Sequence, residues 1–84
     1  MEFQKEVLFL GLTANTLRDG GVYYTVQFYV PGGDPVSVNV MGNAQNEEIL
    51  SLLRAMQFGD NAVVTFVLRP VDKKTYKLGL SHVS

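Results

Sequence analysis

The chain has no cysteine and a single histidine among its 84 residues. Without cysteine there can be no disulfide framework and no thiolate-held zinc or iron-sulfur centre, and such a composition sits most easily with a reducing compartment. One histidine leaves no His-based metal constellation either. Long apolar runs are also missing: no segment approaches the roughly 20 residues a membrane helix needs. The opening residues, MEFQKEVLFLGLTAN, place only a short apolar run after mixed charges, unlike the basic start and long apolar centre of a secretion signal. A cytoplasmic protein with no membrane partner is the expectation. Catalytic motifs are absent as well. Glu47 and Glu48 are adjacent and diverge, so they read as helix-start charges rather than as an acid pair. His82 has no serine, cysteine or carboxylate set placed to work with it, and the glycine pairs at 20–21 and 32–33 lie in neither a P-loop nor a dinucleotide fingerprint. No enzyme activity and no cofactor are expected.

What is present is a composition of 46% hydrophobic and 18% charged residues, typical of one globular domain spanning residues 1–84. The net charge is −1, but it is unevenly spread. Residues 1–60 carry three basic and seven acidic side chains, a net of −4; residues 61–84 carry four basic and one acidic, a net of +3. A basic final third follows an acidic body.

The clearest periodicity is VYYTVQFYV, residues 22–30. Val22, Tyr24, Val26, Phe28 and Val30 share one face of an extended strand, and Tyr23, Thr25, Gln27 and Tyr29 share the other. The first strand is expected over residues 5–14, with Leu8, Leu10, Leu12 and Ala14 on its core face and Gly11 marking a bend or bulge. Residues 15–21, NTLRDGG, read as a hairpin turn. Residues 31–35, PGGDP, close the second strand, and residues 36–41 form a third with Val36, Val38 and Val40 inward and Ser37, Asn39 and Met41 outward. The period then changes to that of a helix over residues 46–57, with Ile49, Leu52, Leu53 and Met56 as its apolar stripe, Asn43 or Asn46 as cap and Gly59 as stop. Two strands follow, over residues 62–69 and 75–83. The expected core is Leu8, Leu10, Val26, Phe28, Val38, Leu52, Leu53, Val64, Phe66 and Leu78.

This order, β-β-β-α-β-β, is that of an all-β five-stranded Greek-key barrel with a helix between strands three and four, the OB-fold. A β-grasp arrangement is second and an SH3-like barrel third. With FGDNAVVTFVL entering the fourth strand and KLGLSHV closing the fifth, the chain resembles the small OB-fold single-stranded DNA-binding proteins of phages and mobile elements. The resemblance implies a ligand face on strands two and three, flanked by the loop between strands one and two and the loop between strands four and five. The residues so implied are Tyr23, Gln27, Tyr29 and Asn39 on the face, Arg18, Lys73 and Lys74 in the loops, and Arg69 and Lys77 at the strand ends beside them. Tyrosine rings stack bases of any identity and cations track phosphates, so the expected partner is single-stranded DNA, or RNA, with little sequence preference. The competing reading is a protein-interaction barrel, a phage or plasmid accessory subunit, in which Tyr23, Tyr29 and Met41 form the contact. A homodimer or higher oligomer is expected, since so small a barrel offers a short binding track that association lengthens, with Val63, Val67 and Val83 as outward apolar contacts.

Overall fold

The structure, a computed structural model, describes residues 1–73 and 76–84, with Tyr76 described by its backbone alone. Five strands and one short helix follow in the expected order: β1 Glu2–Thr16, β2 Val22–Tyr29, β3 Pro35–Met41, α1 Glu47–Ala55, β4 Asn61–Pro70 and β5 Tyr76–Val83. Thr75, expected to begin the fifth strand, and the inward placing of the Tyr76 ring lie outside the described residues. All pairings are antiparallel, in one sheet of order β3-β2-β1-β4-β5. β3 and β5 are therefore its edges, close to each other in space but not joined by a ladder among the described residues. The sheet is open where a closed barrel would have its last seam.

β1 organises the sheet because it pairs twice. Glu2 to Leu8 lie against β4, and Leu8 to Thr16 lie against β2. The switch coincides with a bulge between Phe9 and Gly11, where Leu10 is the extra residue. An inserted residue reverses the alternation of faces from that point on. Val7 and Phe9 are consequently buried before the bulge and Leu12 packs on the core after it, while Leu8 and Leu10 are only half-buried. This corrects the assignment of Leu8 and Leu10 to the core. A second bulge lies in β5, where Ser81 is the extra residue opposite the Thr65–Phe66 step, so that His82 faces Thr65 and Leu80 faces Phe66. Leu80 and Val83 are thus both buried, and Val83 is not available as an outward contact between copies.

β2, β3 and β4 turn the expected faces inward: Val26, Phe28, Val38, Val40, Ala62, Val64 and Phe66 are all buried. Four phenylalanine rings run through this core in contact. Phe3 and Phe66 stand 5.4 Å apart, Phe66 and Phe28 6.1 Å, and Phe28 and Phe9 6.4 Å, the last two edge to face. Such tilted contacts suit the ring quadrupoles and add to the burial of large apolar surface.

The chain leaves β3 through a turn in which the Asn43 side chain accepts from the Asn46 amide at 3.1 Å, capping a short 3-10 turn over Ala44–Asn46. α1 is shorter than expected, and it buries Leu50 and Leu53 rather than Leu52, which is 43% exposed. Six apolar residues in the eight positions 49–56 leave the rotation of a helix open, and docking on the sheet decides it. Arg54 in the last turn fixes the helix to β2: its Nη2 donates to the Tyr24 hydroxyl at 3.2 Å, its Nη1 donates to Glu47 Oε1 at 3.0 Å, and the guanidinium lies 5.3 Å from the Tyr24 ring centre. The Tyr24 hydrogen bond, and after it the one to Glu47, hold the Arg54 pKa above the ordinary arginine value. Among the described residues no helix is long and apolar enough to cross a membrane.

Candidate nucleic-acid interface

β2 is a central strand with β1 on one side and β3 on the other, so its outward side chains lie in rows that run across three strands. Asn15, Tyr23 and Met41 form one row, Thr13, Thr25 and Asn39 the next, then Gly11, Gln27 and Ser37, and finally Leu8, Tyr29 and Pro35. Tyr29 is 37% exposed, Gln27 is exposed and Tyr23 is half-exposed. The two rings sit at opposite ends of the face, about 20 Å apart along an extended strand. Met41 at 47% exposure extends the apolar surface beside Tyr23.

A directional hydrogen-bond relay crosses the middle of this face. Asn15 Nδ2 reaches both the Thr13 carbonyl at 3.4 Å and Thr25 Oγ1 at 3.1 Å, and Thr25 Oγ1 lies 2.9 Å from Asn39 Oδ1. The carbonyl of Thr13 can only accept, which sets the nitrogen of Asn15 toward both oxygens. The Thr25 hydroxyl therefore accepts from Asn15 and donates its one proton to Asn39 Oδ1. Asn39 has its oxygen turned to Thr25 of β2 and its Nδ2 left over as a donor. Asn15 escaped the sequence reading because residues 15–21 read as turn, whereas β1 continues through Thr16 and brings Asn15 opposite Tyr23. Thr25 was legible as outward, but its link to Asn39 depends on the register of β2 against β3.

The edges of β3 and β5 enclose a cleft of about 160 Å³, with Asn39, Met41, Arg69, Lys77 and Gly79 among its walls. Asn46, at its helical end, has its Nδ2 donated to the Met41 carbonyl at 2.9 Å. Three of the expected site residues, Asn39, Arg69 and Lys77, meet around this one cleft although they come from three strands. On the outer face of β2, Tyr23 stands in the row of Met41 at the cleft, whereas Gln27 and Tyr29 lie in the rows of Ser37 and Pro35, beyond Asn39. Lys73 is exposed in the connection between β4 and β5, and Lys74 lies outside the described residues. Arg18 is exposed at the tip of the hairpin between β1 and β2, where Gly20 takes φ +90° and Asp19 Oδ1 accepts from the Gly21 amide at 2.9 Å. Among the described residues Arg18 forms no ion pair with Asp19, whose carboxylate serves the turn.

Comparison with protein-family models, with curated proteins and with solved structures finds no match.

Proposed function

We propose that this chain is a small OB-type protein that binds single-stranded DNA, or RNA, with little sequence preference across the outer face of β2 and β3. The observation that carries the reading is the row arrangement: two accessible tyrosines on one strand, polar Thr25, Gln27 and Asn39 between them, and Arg69 with Lys77 beside the same face. Rings take bases of any identity by stacking, and fixed cations take the phosphates between them. Support for the barrel comes from strand order. A five-stranded Greek-key barrel of OB type, opened between its third and fifth strands, has the order β3-β2-β1-β4-β5, and these two edges stand close together here. The protein acts in the cytoplasm, is not an enzyme, and extends its short binding track by self-association, for which Val63 and Val67 remain outward on β4.

Fluorescence titration of labelled oligothymidine at low and moderate salt tests this. Binding that weakens steeply as salt rises is expected, since phosphate contacts release counterions. No binding at low salt would overturn it and leave the tyrosine face to a protein partner. Sedimentation tests the self-association, and a monomer at high concentration would refute that part.

A further inference from the structure

Arg69 and Lys77 are direct cross-strand partners in the β4–β5 ladder. Residues directly opposite each other project from the same face of a sheet, and like charges so placed destabilise the pair. Glu47 answers Arg54 with a carboxylate, the one ion pair among the described residues. Among those residues neither Arg69 nor Lys77 enters an ion pair, and no acidic side chain is among the described walls of the cleft they share. The third polar contribution comes from Asn39, which lines the cleft and whose Oδ1 is occupied by the Thr25 hydroxyl, so that Nδ2 is the group its amide has left to offer a ligand. A guanidinium fork, an ammonium and an amide nitrogen thus border one small space between two sheet edges.

We propose that the cleft between β3 and β5 binds a phosphate group, held by Arg69, Lys77 and the Asn39 amide nitrogen. A bound anion would relieve the repulsion that the ladder otherwise imposes. Phosphate suits the donor set better than carboxylate does, because a planar carboxylate is satisfied by the arginine fork alone, whereas a tetrahedral anion has further oxygens for donors arriving from other strands. The phosphate can come from the backbone of a bound strand or from a free phosphate or mononucleotide. The inference rests on the function proposed above, which already gives Arg69 and Lys77 to phosphates; phosphate shifts kept without any oligothymidine binding would refute that function and not this site.

The test uses inorganic phosphate in the low millimolar range at constant ionic strength, with amide chemical shifts and thermal unfolding as readouts. Saturable shifts centred on residues 39, 69 and 77 are expected, together with a rise in Tm. Lys77→Glu supplies the missing carboxylate within the ladder. It should raise the Tm of the phosphate-free protein by a few degrees and abolish the phosphate shifts, a combination that a merely damaged fold cannot give. Thr25→Val frees the Asn39 amide to rotate and should weaken phosphate binding several-fold with the fold intact. Displacement of oligothymidine by phosphate assigns the group to the strand backbone; phosphate binding without displacement assigns it to a free ligand. Scattered or absent shifts, an undiminished response in Lys77→Glu, or equal binding of succinate would overturn the proposal.

Discussion

A methyl group on Gly42 would meet the Val22 carbonyl oxygen at 2.8 Å and Tyr24 Cε2 at 3.2 Å. The same carbonyl accepts from the Gly42 amide at 2.9 Å, so the chain leaving β3 is held against β2 at the point where the added atom must fit. Rotation of a side chain cannot relieve a contact with backbone, and moving the backbone lengthens the hydrogen bond. Overpacking of this kind costs about 1–3 kcal/mol and a weakened hydrogen bond about 1 kcal/mol more. Restricting the unfolded chain returns about 0.4–1 kcal/mol when glycine becomes alanine. The net for Gly42→Ala is a loss of about 1–3.6 kcal/mol, or a Tm lower by roughly 4–29 °C for a domain of this size. Gly11 is the internal control. It also lies in a strand and outside the left-handed region, but a methyl group there meets nothing within 4 Å. Gly11→Ala should therefore stabilise by about 0.4–1 kcal/mol, raising Tm by roughly 2–8 °C. Thermal unfolding followed by circular dichroism measures both. Shifts of the same sign in the two variants would refute the close approach of the β3 exit to β2.

Phe28 is fully buried between the Phe9 and Phe66 rings, and Phe28→Ala should cost about 3–5 kcal/mol in denaturant unfolding; a small change would mean that β2 faces the other way. Leu50→Ala should cost about 2–5 kcal/mol while Leu52→Ala costs roughly 1 kcal/mol or less, and the reverse order would rotate α1. For oligothymidine, Tyr29→Ala should lose on the order of 1–3 kcal/mol of affinity with an unchanged salt slope. Lys73→Ala should flatten that slope by roughly 0.7 if it removes one phosphate contact, and identical salt slopes would take Lys73 out of the interface.

The parts of the fold legible in the sequence are those where one alternation runs unbroken. VYYTVQFYV has a single inward face from end to end, and β3 and the first half of β4 behave the same way. β1 is different because Val7, Leu8, Phe9 and Leu10 are all apolar, so only the position of the bulge chooses between two faces, and Gly11 announces a bulge without saying which residue is extra. Val83 turns inward for a related reason: the extra residue Ser81 reverses the faces of β5, and nothing in SHV marks it before β5 is paired with β4. The candidate site divides likewise. The outward tyrosines follow from local period, whereas the meeting of Asn39 with Arg69 and Lys77 requires two sheet edges to approach after the whole chain has folded.

The double pairing of β1 sets an order of events on the ribosome. Its second half can pair as soon as β2 has emerged, and β3 can extend that meander at once. Glu2 to Leu8 must wait for Asn61 to Val67. At a synthesis rate of about 5–20 residues per second, the interval between completion of β2 and arrival of that partner is roughly 2–8 s. During it Phe3 lacks the Phe66 ring and Val7 lacks its partner Ala62, and the first half of β1 presents an unpaired edge. Glu2, Lys5 and Glu6 interrupt this edge with charge, the device by which nascent strands resist pairing with another chain. The charges set between Phe3 and Val7 at the start of β1 thus cover the seconds in which the strand has only half of its neighbours.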